Sequence, residues 1–156
     1  MNQMKVEQSI IINLPTEEIF TYVSNLENMA DWSGAVISAR KISSDDLLVG
    51  TTVRCTIRIL GRWFDTTYEI VECVANRYLT FKSITGVAPS LICYRFEPVE
   101  GGGTNVAVEE FIHFTGGFLG FTEPMITSVI RRQVAYDLLT LKDLLESTAT
   151  MCTGAG

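Results

Sequence analysis

The sequence lacks a run of basic residues. Its 156 residues include 12 Lys and Arg against 18 Asp and Glu, so the formal net charge is −6. Proteins that follow a nucleic-acid backbone need clustered Lys and Arg side chains to neutralise the phosphates. The charge clusters here are pairs such as Arg131-Arg132, which are typical of solvated faces. We therefore expect no nucleic-acid partner.

Metal-binding and redox motifs are also missing. His113 is the single histidine, and the four cysteines Cys55, Cys73, Cys93 and Cys152 form no CxxC pair. Zinc sites need His and Cys ligands at short, regular spacing, which these residues do not provide. We expect no metal site and no other cofactor.

Long apolar runs are absent too. No stretch approaches the 18 or more apolar residues of a membrane helix, and the first residues carry no leader-like pattern. We expect no integral membrane segment and a cytoplasmic protein with reduced thiols. A monomer and a homodimer both stay open.

The composition is that of a globular protein, with 47% hydrophobic and 19% charged residues. A chain of this length is about the size of one domain with a sizeable core. We expect a single domain over residues 1–148. Residues 149–156 have no hydrophobic period, which favours a disordered tail.

The hydrophobic pattern predicts one strand, two short helices, six strands and a long helix. The first strand covers 5–13, and Pro15 starts a short helix that ends near Ser24. A second short helix ends at Gly34. The remaining strands are predicted at 35–43, 51–60, 63–74, 78–84, 89–98 and 104–115. Apolar residues at helical spacing then extend from Pro124 to about Ser147.

The turn at Gly61-Arg62 predicts a hairpin register. Glycine at the first of two loop positions suits a type II′ turn and pairs Leu60 with Trp63. Arg58 then lies opposite Asp65. The opposite face pairs apolar groups with one another: Ile59 with Phe64, Ile57 with Thr66, Cys55 with Tyr68, and Val53 with Ile70.

Four segments resemble the SRPBCC superfamily, which includes START lipid-transfer domains, the birch pollen allergen and polyketide cyclase/dehydrase proteins. They are Ile11–Asn25, Asp31-Trp32, Tyr94–Pro98 before the glycine turn at 101–103, and Asp137–Glu146. The resemblance extends over about residues 4–147. It implies an α+β helix-grip fold, in which a curved antiparallel sheet of about seven strands (β-α-α-β6-α) wraps around the C-terminal helix. Only that helix is long enough to cover the sheet.

The resemblance also implies an elongated cavity between the sheet and the final helix. Its expected occupant is a hydrophobic or aromatic small molecule, such as a lipid, a polyketide or a quinone-like compound. Inward apolar side chains are equally explained by core packing alone. The expected ligand contacts are Phe64, Thr66, Tyr68, Phe81, Ser83, Ile92, Tyr94, Phe96, Val108, Glu110, Phe121, Ile130 and Val134.

Glu110 is the candidate catalytic residue. Strand alternation places it on the same face as Val106, Val108 and Ile112, so its carboxylate is expected to point inward. A buried, unpaired carboxylate becomes protonated or finds a cation, and such a group can serve as an acid or base. Alternatively, a bulge at Glu109-Glu110 reverses the parity, or Glu110 lies in water at the cavity mouth.

Two other groups are less informative. Gln133 and Asp137 flank the apolar stripe of the last helix, a position that usually faces solvent. Phe118, Leu119 and Phe121 form an apolar patch before that helix, which suggests a gate or a partner contact.

Three functions stay open. Binding of a hydrophobic small molecule is favoured, because no recognisable catalytic set is present. The alternative is a polyketide cyclase, aromatase or dehydratase that uses Glu110 with Tyr68 or Tyr94. The third is a protein-interaction module that uses the Phe118–Phe121 patch.

Overall fold

The computed structural model describes residues 2–43, 49–86, 88–114 and 120–154. The elements are β1 (Asn2–Ile12), α1 (Thr16–Ser24), a 3-10 turn (Leu26–Asn28), α2 (Met29–Trp32), β2 (Val36–Lys41), β3 (Thr52–Ile59), β4 (Arg62–Val74), β5 (Tyr78–Thr85), β6 (Ser90–Pro98), β7 (Thr104–Phe114) and α3 (Glu123–Gly154).

The strands form one seven-stranded antiparallel sheet in the order β1-β7-β6-β5-β4-β3-β2. The sheet curves around α3, whose buried stripe packs against its inner face. That stripe consists of Ile126, Ile130, Val134, Leu138 and Leu141. The helix-grip fold predicted from the sequence is thereby confirmed.

The hairpin between β3 and β4 differs from its predicted register. Leu60 and Gly61 form the loop with φ angles of 52° and 79°, and Ile57 pairs with Phe64 rather than with Thr66. Positive φ at both central residues is the geometry of a type I′ turn, whose twist suits a hairpin. The predicted register is therefore wrong by two residues. Because an even shift keeps every side chain on its face, the inward set is unchanged.

The C-terminal half of α3 is fastened to the end of β1 by two hydrogen bonds. Lys142 Nζ donates to the carbonyl oxygen of Ile11 at 2.7 Å, and the Asn13 N–H donates to Glu146 Oε2 at 2.8 Å. The helix continues past Ser147, where the sequence predicts its end, to Gly154. Within the described ranges, no helix is both long and apolar enough to cross a membrane.

Candidate functional site

A cavity of about 180 Å³ lies between the inner face of the sheet and α3. Residues of α2, of strands β2 to β7 and of α3 form its wall, which is mostly apolar. A larger concavity of about 610 Å³ lies around Pro15, Arg77 and Pro98. Its side chains are mostly exposed. It is therefore a surface depression, and the more enclosed cavity between the sheet and α3 is the candidate site.

Most of the expected ligand contacts line this cavity. They are Thr66, Tyr68, Phe81, Ile92, Tyr94, Val108, Glu110, Ile130 and Val134. They come from four strands and one helix, and strand alternation alone identified the members of the sheet.

The other four expected contacts, Phe64, Ser83, Phe96 and Phe121, are not among the residues that line this cavity. Phe64 pairs with Ile57 of β3, and Ile57 rather than Phe64 lines the cavity. The Ser83 hydroxyl already accepts a hydrogen bond from the Ser90 N–H at 2.8 Å. Phe96 lies behind Tyr94 and packs against α1. Phe121 packs against the core just before α3. Alternation gives the face of a side chain but not its depth along the strand.

Glu110 lies on the inner face of β7. It pairs with Val6 of β1 and Ile92 of β6, and both registers continue through positions 109 and 110 without a shift. β7 therefore has no bulge at Glu109-Glu110, and Glu110 keeps its inward direction. The structure gives the carboxyl no hydrogen bond or ion pair within the described residues.

The environment of Glu110 favours its neutral form. Burial in the apolar wall, and then the charge of Asp137, raise the pKa of this carboxyl from 4.5 to about 7. Both protonation states are therefore accessible near neutral pH. Such a group can give or take a proton.

Asp137 is a cavity residue that the sequence interpretation placed in solvent. It is 7% exposed and accepts hydrogen bonds from the Gly34 N–H at 2.8 Å, Ser33 Oγ at 3.0 Å and Gln133 Nε2 at 2.7 Å. Burial raises its pKa, and these hydrogen bonds oppose the rise. The signal was present, because Asp137 follows Val134 by three positions and therefore shares the apolar face of the helix.

Aromatic rings line one side of the cavity and continue into the core. Tyr68 meets Phe81 edge to face at 5.3 Å between ring centroids, and Phe81 stacks on Tyr94 at 6.0 Å. Trp32 contacts Tyr94 edge to face at 6.1 Å, and Phe96 extends the stack behind it at 6.5 Å. Each ring of this aromatic wall packs against another in an edge-to-face or stacked arrangement.

The buried side chain of Trp32 has one hydrogen-bond donor without an acceptor among the described residues. Its side chain is 3% exposed, and its indole Nε1–H has no hydrogen-bond partner within the described part of the chain. Buried donors of this kind are rare in folded proteins. Because Trp32 lines the cavity, a ligand is one source of the missing acceptor.

The two cavity tyrosines stay neutral over the physiological pH range. Burial, and then the charge of Glu110, raise the pKa of Tyr68 and that of Tyr94. A Tyr68 hydrogen bond with Ser90 partly opposes this effect. The tyrosines therefore offer hydroxyl groups, and not phenolates, to a ligand.

Two expectations concern other parts of the chain. No group of three or more His, Cys, Asp or Glu side chains suited to a metal occurs among the residues described above. Phe118 and Leu119 of the apolar patch lie outside the described residues. The gate or partner role of that patch stays a prediction.

Comparison with known proteins agrees with the geometry. The family model described as polyketide cyclase / dehydrase and lipid transport matches residues 3–146. No curated protein matches the sequence.

Several solved structures share the fold. A protein from Thermus thermophilus is 20% identical with a TM-score of 0.79, over 92% of this chain and 98% of its own. A START superfamily protein from Mycobacterium smegmatis is 13% identical with a TM-score of 0.80, over 93% and 99%. The Zhui aromatase/cyclase from Streptomyces sp. R1128 is 14% identical with a TM-score of 0.78, over 93% and 94%. At these identities the similarity establishes the fold alone.

Proposed function

The chain belongs to the polyketide cyclase/dehydrase and lipid transport family, and on that premise we propose that its cavity binds a compact aromatic or otherwise hydrophobic small molecule. The observation that carries this proposal is the mostly apolar cavity between the sheet and α3. Sites of this kind bury most of a small ligand and orient it through a few polar groups. Glu110, Tyr68, Tyr94 and Trp32 are such groups.

The size of the cavity narrows the ligand class. Sites for drug-sized ligands measure about 300–1,000 Å³, whereas an apolar cavity of about 150 Å³ binds benzene. At about 180 Å³ this cavity suits a one-ring or fused two-ring compound. A long acyl chain would exceed this volume.

Calorimetric titration with indole, a neutral aromatic probe, tests the proposal. Indole is expected to bind the wild type, and Val108→Phe is expected to abolish binding because its ring fills the cavity from β7. Ala107→Phe places the same ring on the outer face of the same strand and is expected to leave binding unchanged. Equal binding by both variants, or no binding by the wild type, would contradict the proposal. Native mass spectrometry of freshly purified protein gives a second test, because a retained ligand adds mass.

A second candidate function is polyketide cyclisation, aromatisation or dehydration. The observation that favours it is a carboxyl with a pKa of about 7 in the same cavity as two neutral tyrosines. Glu110 would then transfer the proton while Tyr68 or Tyr94 stabilises the developing enolate. A short poly-β-ketone thioester mimic is the test substrate. Turnover that disappears in Glu110→Gln, with substrate binding retained, would support this function over simple binding.

A further inference from the structure

The charges inside the cavity restrict which aromatic ligand it can hold. Glu110 on β7 and Asp137 on α3 both line it, and the charge of Asp137 raises the pKa of Glu110. The other titratable groups that affect the site are Tyr68 on β4, Tyr94 on β6 and Cys55 on β3, whose pKa values are all raised and which are therefore neutral. The interior holds negative charge only.

A cation is missing from this interior. Among the described residues that line the cavity, the one cationic side chain is Arg58, which is exposed and pairs with the exposed Trp63 on the outer face of the hairpin. A buried carboxylate without a cation is costly, and folded proteins pair such groups or leave them protonated. Among the described residues, no cation pairs with Glu110.

Asp137 and Glu110 differ in what they have left to offer. The Asp137 carboxylate already accepts three hydrogen bonds, which keep it in place and favour its charge. Glu110 accepts none within the described chain. A polar group of the ligand would therefore form its hydrogen bond with Glu110. Asp137 would act on that group only through its negative charge.

The aromatic wall adds a second, independent preference. Trp32, Tyr68, Phe81 and Tyr94 surround the same space as Glu110. Aromatic faces attract ammonium groups through their negative quadrupole, most strongly where water is excluded. The unpartnered Trp32 N–H offers one donor to an acceptor elsewhere on the ligand.

From the unpaired Glu110 carboxyl, the nearby Asp137 charge and the aromatic wall, we infer that the cavity selects a small aromatic ligand carrying a protonated amine and rejects ligands carrying a carboxylate. This inference rests on the proposed function, since it names the ligand class of the same site. The ammonium group lies against Glu110, and the ring lies among the aromatic side chains. An acidic ligand would add a third negative charge to the interior.

Three ring compounds that differ in charge test this inference by calorimetric titration: benzylamine, benzyl alcohol and benzoate. Near pH 8, benzylamine is expected to bind about tenfold or more tightly than benzyl alcohol, because a charge-assisted hydrogen bond and aromatic contacts add to its affinity. Benzoate is expected to bind most weakly.

Variants locate the preference at Glu110. Glu110→Gln keeps the shape of the side chain and is expected to remove most of the preference for benzylamine, leaving only the part that the aromatic faces and Asp137 supply. The matched control is Glu109→Gln, whose side chain faces outward to Arg95 and Lys5 and which should keep the full preference.

The pH dependence of binding to the wild-type protein gives a second test that needs no variant. Between about pH 5.5 and pH 8, benzylamine affinity is expected to rise about tenfold or more as Glu110 ionises, while benzyl alcohol affinity stays flat.

The outcomes separate this inference from the proposed function. If indole and benzyl alcohol bind but benzylamine is not preferred, or if Glu110→Gln keeps the full preference, the inference is overturned and the proposed function stands. If benzoate binds as tightly as benzylamine, the inference is likewise overturned. If neither indole nor any benzyl compound binds, both are overturned.

Discussion

At the scale of single residues, strand alternation predicted the inward direction of Glu110, whereas the apolar stripe of the last helix misplaced Asp137. Glu110 stands in a strand of buried neighbours, so its direction follows from its position. Asp137 was assigned to solvent because a carboxylate at the edge of an apolar stripe usually lies there. Its burial depends on donors that are distant in sequence, Ser33 and the backbone of Gly34, and a residue's own segment does not reveal them.

Glu110 predicts how stability depends on pH. Its folded pKa of about 7 lies above the ordinary value of 4.5, so the unfolded chain ionises first. The stability that Glu110 contributes is then greatest below about pH 4.5 and is lost as pH rises toward and through 7, by at most about 3 kcal/mol because solvent in the cavity screens the charge. Glu110→Gln is expected to flatten this slope and to be more stable than the wild type near pH 8. Urea unfolding across the pH range measures both.

The outward neighbour is the control for that prediction. Glu109→Gln removes partly exposed ion pairs with Lys5 and Arg95 and should keep the wild-type slope. A slope that survives in Glu110→Gln would show that another group carries the pH dependence.

At the scale of elements, the order of strands and helices was predictable and two details were not. The hairpin register depends on whether Leu60 adopts positive φ, an uncommon conformation for a non-glycine residue that sequence pattern does not disclose. The end of α3 was placed at Ser147 because the apolar period stops there. Helix geometry continues to Gly154 without that period.

Asp137 is expected to hold α3 against the start of β2. Asp137→Ala leaves the Gly34 N–H and the Ser33 hydroxyl without their acceptor, so the free energy of unfolding should fall by about 1–3 kcal/mol. It also removes a negative charge, so the pKa of Glu110 should decrease. Urea unfolding and NMR titration of the Glu110 side chain measure the two effects.

An exposed acid on the same helix provides the comparison. Asp143→Ala is expected to change the unfolding free energy by less than about 0.5 kcal/mol. Equal losses in both variants would mean that the hydrogen bonds of Asp137 contribute nothing specific.

At the scale of the whole molecule, the resemblance in four short segments was enough to give the fold. Those segments shape the framework, where the pattern of apolar residues is set by packing. The cavity followed only as a general expectation, because its volume and its charges arise from residues of many elements meeting in space. The identity of the ligand depends on this volume and these charges, and the fold does not determine it.

The boundary of the domain gives a prediction at this scale. We expect residues 1–148 to suffice for folding, because Lys142 and Glu146, whose side chains fasten α3 to β1 and Asn13, lie within that range. A chain lacking residues 149–156 should unfold at the same urea concentration as the full chain, within about 0.5 kcal/mol. A larger loss would place the end of the domain in the last turns of α3.

The central claim is that the space between the sheet and α3 is a ligand site. Intermolecular NOEs between benzylamine and methyl-labelled protein test it most directly. The account predicts NOEs from the benzyl ring to methyl groups of Val108, Ile130 and Val134, all of which line the cavity. The claim would be contradicted if NOEs reach only exposed methyl groups, such as those of Val74, or if no intermolecular NOE is observed.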